Sequence, residues 1–333
     1  MVRRVLFLAF FGALSLLPVQ AEIPRQRHFK FRYAFTVRNP APGKSLKVWF
    51  PLATTDQWQK VRVLSAKGDL ALKRTTEAEY GNRMYYAYTP KADRTLYHFE
   101  VVYDVVRMER IGLRDGRPVN AAPRMSRAKL ELFLSADNLV PITGRPAELA
   151  AEETKGASGA MQKAHAIYDY VFRTMRYDKS GTGWGRGDTL WACDAKRGNC
   201  TDFHSLFASM ARSQGIPVKF SIGFAIPAGK PGGEIPGYHC WADFHADGGW
   251  VPVDISEAWK DQSKHEYYFG AHDENRVQFS TGRDLRLTPA QVGEALNYFI
   301  YPYVESDGKK YENVSNDFSF TDTTENRLQA AIQ

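Results

Sequence analysis

Arg197-Gly198-Asn199-Cys200-Thr201-Asp202-Phe203 is the stretch on which the reading of this 333-residue chain turns. Gly198 and Asn199 are turn residues, and beyond them Phe203, Leu206, Phe207 and Met210 recur at helical spacing. A helix therefore opens at Cys200 with one face in a core, and Gly215-Ile216-Pro217 ends it. A cysteine at a helix start sits among unsatisfied N–H groups at the positive end of the macrodipole, which favours the thiolate. The same N–H groups can receive a developing oxyanion. Taken alone, the residue fits a buried structural cysteine equally well.

Further along, Gly237-Tyr238-His239-Cys240-Trp241-Ala242-Asp243-Phe244 and Trp250-Val251-Pro252-Val253-Asp254 flank a Gly/Asp turn and read as a hairpin. A two-residue loop at Ala246-Asp247 would set His239 opposite Asp254, and a four-residue loop over 246–249 would set them diagonally on one face. An odd loop would separate them, because side chains alternate along a strand. Cys200, His239 and Asp254 have complementary chemistry: the imidazole takes the thiol proton and later protonates a departing amine, while the carboxylate orients the imidazole.

These segments, in this order, resemble the transglutaminase-like superfamily over roughly residues 160–260: Gly198-Asn199-Cys200-Thr201-Asp202, Gly215-Ile216-Pro217, His239-Cys240-Trp241 and Gly249-Trp250-Val251-Pro252-Val253-Asp254. The resemblance implies an α+β, papain-like core, with the nucleophile on a helix against an antiparallel sheet that carries the other two residues. It assigns Cys200 as nucleophile, His239 as base and Asp254 as orienting carboxylate. It also implies a second oxyanion donor, for which Trp184 and Trp191 are candidates. Cys240 stands where the family usually has a small residue and is expected to face away from the site. A bond from Cys193 to Cys240 would brace the sheet and leave Cys200 free, although all three cysteines could equally be thiols.

The rest of the chain supplies context. Arg3 and Arg4 followed by the apolar run Val5–Leu17 and Val19-Gln20-Ala21 read as a removable export signal, residues 1–21, too short to span a bilayer. Its removal takes no acid and two arginines, so the formal charge falls from +7 to +5. The cations are scattered rather than clustered with aromatics, which argues against nucleic acid as a partner. Residues 22–145 show period-two patterning, as in His28–Phe35 and Thr95–Val101, and read as a β-sandwich-like domain.

Residues 146–333 read as the catalytic domain with a β-rich C-terminal extension. Within it Ala164, Ile167, Tyr168, Val171 and Met175 form a helical stripe, and residues 178–189 are a flexible Gly-rich loop suited to a lid or cleft wall. Arg212 reads as a surface charge and Tyr298-Phe299-Ile300-Tyr301 as a core strand. Asp202 and His204 beside His239 or Asp243 suggest a metal site only weakly. No HExxH or paired Cys-x-x-Cys pattern accompanies them, and neither metal nor cofactor is expected.

The expectation is an exported, periplasmic or secreted thiol enzyme that forms an acyl-thioester on Cys200 with peptide or protein carboxamides, cell-envelope material included. Hydrolysis is favoured over cross-linking. The alternatives are a peptide-binding or envelope-assembly module without chemistry, and a binding protein that uses the β domain.

Overall fold

The computed structural model describes residues 24–119 and 125–324, so the expected signal at residues 1–21 lies outside it. Alternation in Gln26–Arg38 turns Phe29, Phe31, Tyr33 and Phe35 inward, all of them buried. That strand sits third in a five-stranded antiparallel sheet of order Gly232–Glu234, Val314–Asp322, Gln26–Arg38, Leu96–Met108 and Gln59–Gly68. A second five-stranded sheet runs Lys309–Lys310, Tyr303–Ser306, Leu46–Pro51, Arg83–Thr89 and Lys73–Thr76. Val48, Phe50 and Tyr85 of this sheet share a core with the inward residues of the first. Each large aromatic buried there contributes on the order of 1.5–3 kcal/mol.

Two strands of the C-terminal tail, Tyr303–Ser306 and Val314–Asp322, are thus built into the N-terminal sheets. Pairing in this way covers backbone that would otherwise lie open at the sheet edges. The segment Asn297–Tyr301, in contrast, is not a strand. Phe299 and Ile300 enter two different cores, while Tyr298 and Tyr301 turn toward Tyr238. A single alternating ladder cannot serve all of these directions.

The second layer is a four-stranded antiparallel sheet in the order Gly249–Val253, His239–Ala246, Val218–Ala225 and Arg276–Thr281. The Cys200–Ser213 helix lies on it and is flanked by helices Arg145–Glu153, Gly159–Thr174 and Thr189–Ala195. The helical stripe Ala164, Ile167, Tyr168, Val171 and Met175 is buried, as its spacing predicts.

The Cys200–Ser213 helix is buried on every side from Cys200 to Arg212, rather than on one face. Its polar side chains tolerate this because each has a partner. Ser205 bonds Arg283, Ser209 bonds the Pro141 carbonyl, and Thr201 bonds Tyr238. Arg212 is therefore no surface charge: it pairs with Asp137 at 2.6 Å and donates to the carbonyls of Ser135 and Val218, both at 2.9 Å. No helix among the described residues is long and apolar enough to cross a membrane.

Candidate active site

Asn199 caps the helix, accepting from the Thr201 N–H at 2.9 Å, while Asp202 reaches back to the Asn199 N–H at 2.9 Å to complete a capping box. Cys200 is thereby fixed in the first turn. Gly198 has φ +150°, and a Cβ there would overlap the Asp202 carboxylate. Only glycine fits this conformation.

The hairpin turn is Asp247-Gly248, with φ of 48° and 80°, and Ala246 pairs with Gly249. Positive φ at both turn residues suits the twist of a two-residue hairpin. Of the two even loops that the sequence leaves open, the register is that of the loop over 246–249, closed by the further pair Ala246 and Gly249, and not that of Ala246-Asp247. Ala242 pairs with Val253, so the register sets Asp254 diagonal to His239 on one face. The result is a 2.7 Å contact from His239 Nε2 to Asp254 Oδ2, which leaves Nδ1 for the thiol of Cys200. Cys200, His239 and Asp254 are 1%, 4% and 0% exposed.

The surroundings hold residues that sequence reasoning did not assign to the site. Arg276 Nη1 donates to the same Asp254 Oδ2 at 2.9 Å. The Ser256 hydroxyl and the Glu257 N–H bond Oδ1 at 3.1 and 3.2 Å. His204, one helical turn after Cys200, meets the Cys200 carbonyl through Nδ1 at 2.8 Å and accepts the Ile255 N–H on Nε2 at 3.2 Å. Burial pushes its pKa down, in keeping with the neutral ring this bonding requires. Helical spacing from Cys200 could have signalled His204. No local pattern signals Arg276, which arrives from a strand 76 residues beyond the cysteine.

Cys240 does not face away. It shares a sheet face with Ala242 and Phe244, and the Cys200–Ser213 helix packs on that face, with Phe207 and Phe244 rings 6.2 Å apart. The Cys240 thiol accordingly lies against Cys200 and is 3.8 Å from both Thr201 Oγ1 and His204 Nδ1. All three cysteines are free thiols, so the Cys193–Cys240 brace is absent.

The loop over 178–189 is held as a wall. Asp202 accepts the Gly185 and Gly187 N–H groups at 2.7 and 3.0 Å, and Tyr238 and Tyr298 donate to the Gly185 carbonyl at 3.2 and 3.1 Å. The Trp184 indole N–H goes to the Gly181 carbonyl at 3.1 Å, within the loop itself. Trp191 packs under Gly183, with the Arg197 guanidinium over its ring. The Trp184 N–H is thus taken up inside the loop, and the Trp191 indole nitrogen faces Gly183. Asp243, the other acid named as a metal-ligand candidate, is held by Arg110 and Lys219. Among the described residues, His239, Asp254 and Glu257 bring ligand atoms within 4.8 Å of one another. Asp254 in that group already receives four donors.

Residues 147–255, which contain Cys200, His204, His239, Cys240 and Asp254 but not Ser256, Glu257 or Arg276, match the sequence profile of the transglutaminase-like superfamily. That segment is a transglutaminase-like core. An uncharacterised protein of Haemophilus influenzae is 26% identical over 337 residues, covering 88% of this chain and 91% of the relative. A solved structure from Cytophaga hutchinsonii, described as that of a proposed cysteine protease, superposes with a TM-score of 0.54 at 14% identity. It covers 90% of this chain and 100% of that one. At this identity the likeness speaks for the fold alone.

Electrostatics within the transglutaminase-like core favour an ion pair. Burial opposes ionisation of Cys200, but hydrogen bonds from Cys240 and His239 and the charge of His239 carry its pKa well below that of a free thiol. Burial likewise works against a charged His239. The Asp254 charge and hydrogen bond, with Cys200 and Glu257, outweigh it and raise the imidazole to about 10. Asp254 would be raised by burial, and is instead held well below the usual carboxylate range by His239 and Arg276. Cys240 moves the other way, pushed up by burial and by the neighbouring Cys200. Of the two adjacent sulfurs, Cys200 carries the charge.

Proposed function

We propose that this chain is a thiol-dependent amide or peptide hydrolase that works through an acyl-thioester on Cys200, with His239 as base and acid and Asp254 orienting it. The observation that carries the reading is the 2.7 Å His239–Asp254 bond with the remaining ring nitrogen turned to a helix-borne thiol.

In this scheme the Cys200 thiolate attacks the carbonyl carbon of a carboxamide or peptide bond, and the electron pair moves onto oxygen. The N–H groups at the helix start receive that charge. When the C–N bond breaks, His239 delivers its Nδ1 proton to the leaving amine. Water then attacks the thioester, giving its proton to His239, and the carboxylic acid departs as the thiolate reforms. Water is favoured over an amine as acceptor because it needs no binding site of its own. The acyl donor is a peptide or protein, with cell-envelope material as the first class to try. The export reading of residues 1–21 places the enzyme in the periplasm or outside the cell, and N-terminal sequencing of the mature protein tests that placement. The division at residue 145 assigns residues 22–145 as a scaffold or substrate-facing domain, to which the returning C-terminal strands add.

The deciding experiment incubates purified protein with peptide carboxamides and envelope fragments, quenches in acid, and looks for an acyl adduct by mass spectrometry. An adduct on the Cys200 peptide that is lost in Cys200→Ala supports the reading. Turnover that persists in Cys200→Ala overturns it.

A further inference from the structure

Arg276 is the buried cation that this scheme leaves unused. It opens the edge strand Arg276–Thr281 and is 1% exposed. Its Nη1 shares Asp254 Oδ2 with His239, at 2.9 Å against 2.7 Å. Its Nε bonds Asp273 Oδ1 at 3.3 Å, and its Cζ stands 4.9 Å from the centre of the Trp241 ring, beside His239. A guanidinium with an anchor at each end and a ring beneath it has little freedom to leave Asp254.

A carboxylate buried this deeply protonates unless a cation holds it. His239 is a cation for only part of the cycle, because it gives its proton to the leaving amine. At that moment the Ser256 and Glu257 donors on Oδ1 remain, but the balancing charge must come from a permanently charged group, and a guanidinium is one at any working pH. The other charged or titratable groups about Asp254 do not fill the role. His204, with Nε2 at 3.7 Å from Oδ1, is held neutral by burial. Glu257 is an acid, and the Lys260 ammonium that also feels the Asp254 charge is bonded to Glu257 at 2.6 Å rather than to Asp254. Tyr168 and Tyr268 are neutral phenols whose pKa is raised by burial, and Asp273 is an acid on the far side of Arg276.

We infer that Arg276 is a positioning residue for the chemistry at Cys200: it keeps Asp254 ionised and aimed at His239 through every step, and so sustains the imidazolium that faces the thiolate. The inference rests on the Cys200–His239–Asp254 reading and adds a fourth member from outside the span that matches the superfamily profile.

The test needs no substrate. The full-length mature protein is alkylated with iodoacetamide across pH, and the rate at Cys200 is read by peptide mass spectrometry. In Arg276→Met the stem still packs on Trp241 but the charge is gone. Asp254 then protonates at higher pH and its grip on His239 is lost sooner, so the acid limb of the Cys200 profile moves up by about one pH unit. Arg276→Lys keeps the charge and holds the limb at its wild-type position. A folded Arg276→Met whose profile superimposes on wild type overturns the inference, and so does a folded Arg276→Lys whose limb moves up. The Lys variant decides the matter by itself if the Met variant does not fold. Wild-type Cys200 that titrates like a free thiol would instead sink the underlying site reading, so the two failures are distinguishable.

Discussion

Replacing Asp254 by Asn isolates what the carboxylate does. In the native site the Asp254 charge and hydrogen bond are the largest influences raising His239, to about 10, against burial that alone would depress it. Asn is nearly isosteric but neutral, so burial then wins and His239 is uncharged at neutral pH. With the imidazolium gone, the Cys200 thiol loses the hydrogen bond and charge that lower its pKa, while the burial that raises it remains. A thiol at its reference value of about 8.5 is about 1% ionised at pH 6.5, against nearly full ionisation in the ion pair. Alkylation of Cys200 by iodoacetamide at pH 6.5 should therefore fall about 100-fold, with burial of the neutral thiol deepening the fall and the remaining Cys240 hydrogen bond working against it. Peptide-resolved mass spectrometry separates this signal from Cys193, which burial pushes up to about 11, and from Cys240, which is raised as well. Folded Asp254→Asn that reacts at Cys200 within a few-fold of wild type at pH 6.5 would show that the ion pair does not depend on this carboxylate.

Gly198→Ala forces a Cβ into the Asp202 carboxylate at φ +150°. It should cost about 2–4 kcal/mol in urea unfolding, and it should slow Cys200 alkylation by shifting the helix start. Arg212→Leu leaves Asp137 buried without its cation and strips two carbonyls of a donor, a loss of about 3–5 kcal/mol readable as a lower urea midpoint at unchanged slope. Asp273 is held down to about 2 by Arg276 against burial. A depressed carboxyl contributes stability that is present above its unfolded value near 4 and is lost as pH falls through 2. Thermal stability should therefore drop across that interval, and less steeply in Asp273→Asn.

Much of the site was legible because its elements announce themselves locally. Gly198 and Asn199 before an i, i+3, i+4 apolar run mark a helix start, and a Gly/Asp turn between alternating strands marks a hairpin whose parity is open to reasoning. Even there the sequence leaves two loops open, Ala246-Asp247 and 246–249, and the register is that of the second, tightened to a turn at Asp247-Gly248. Positive φ at two successive residues selects the pair that contains glycine second. Arg212 reads as a surface charge for a related reason. Sequence shows that a residue is charged, but not that Asp137 and two carbonyls from other segments await it in the interior. Cys240 is expected to face away from the site and does not, because strand alternation tells which residues share a face without telling which face the helix will cover.

By itself the sequence determined the helix-borne thiol, the candidate base and carboxylate, and the aromatic sandwich strands, since each is written in spacings shorter than a turn or a hairpin. Tertiary structure alone decided that the C-terminal strands complete the N-terminal sheets, that Cys240 lies against Cys200, that Asp202 pins the Gly-rich loop, and that Arg276 shares the Asp254 oxygen with His239. Those outcomes depend on which distant segment satisfies a buried charge or an open strand edge. That choice is made by the free energy of the whole packed core, and no local window of residues contains it.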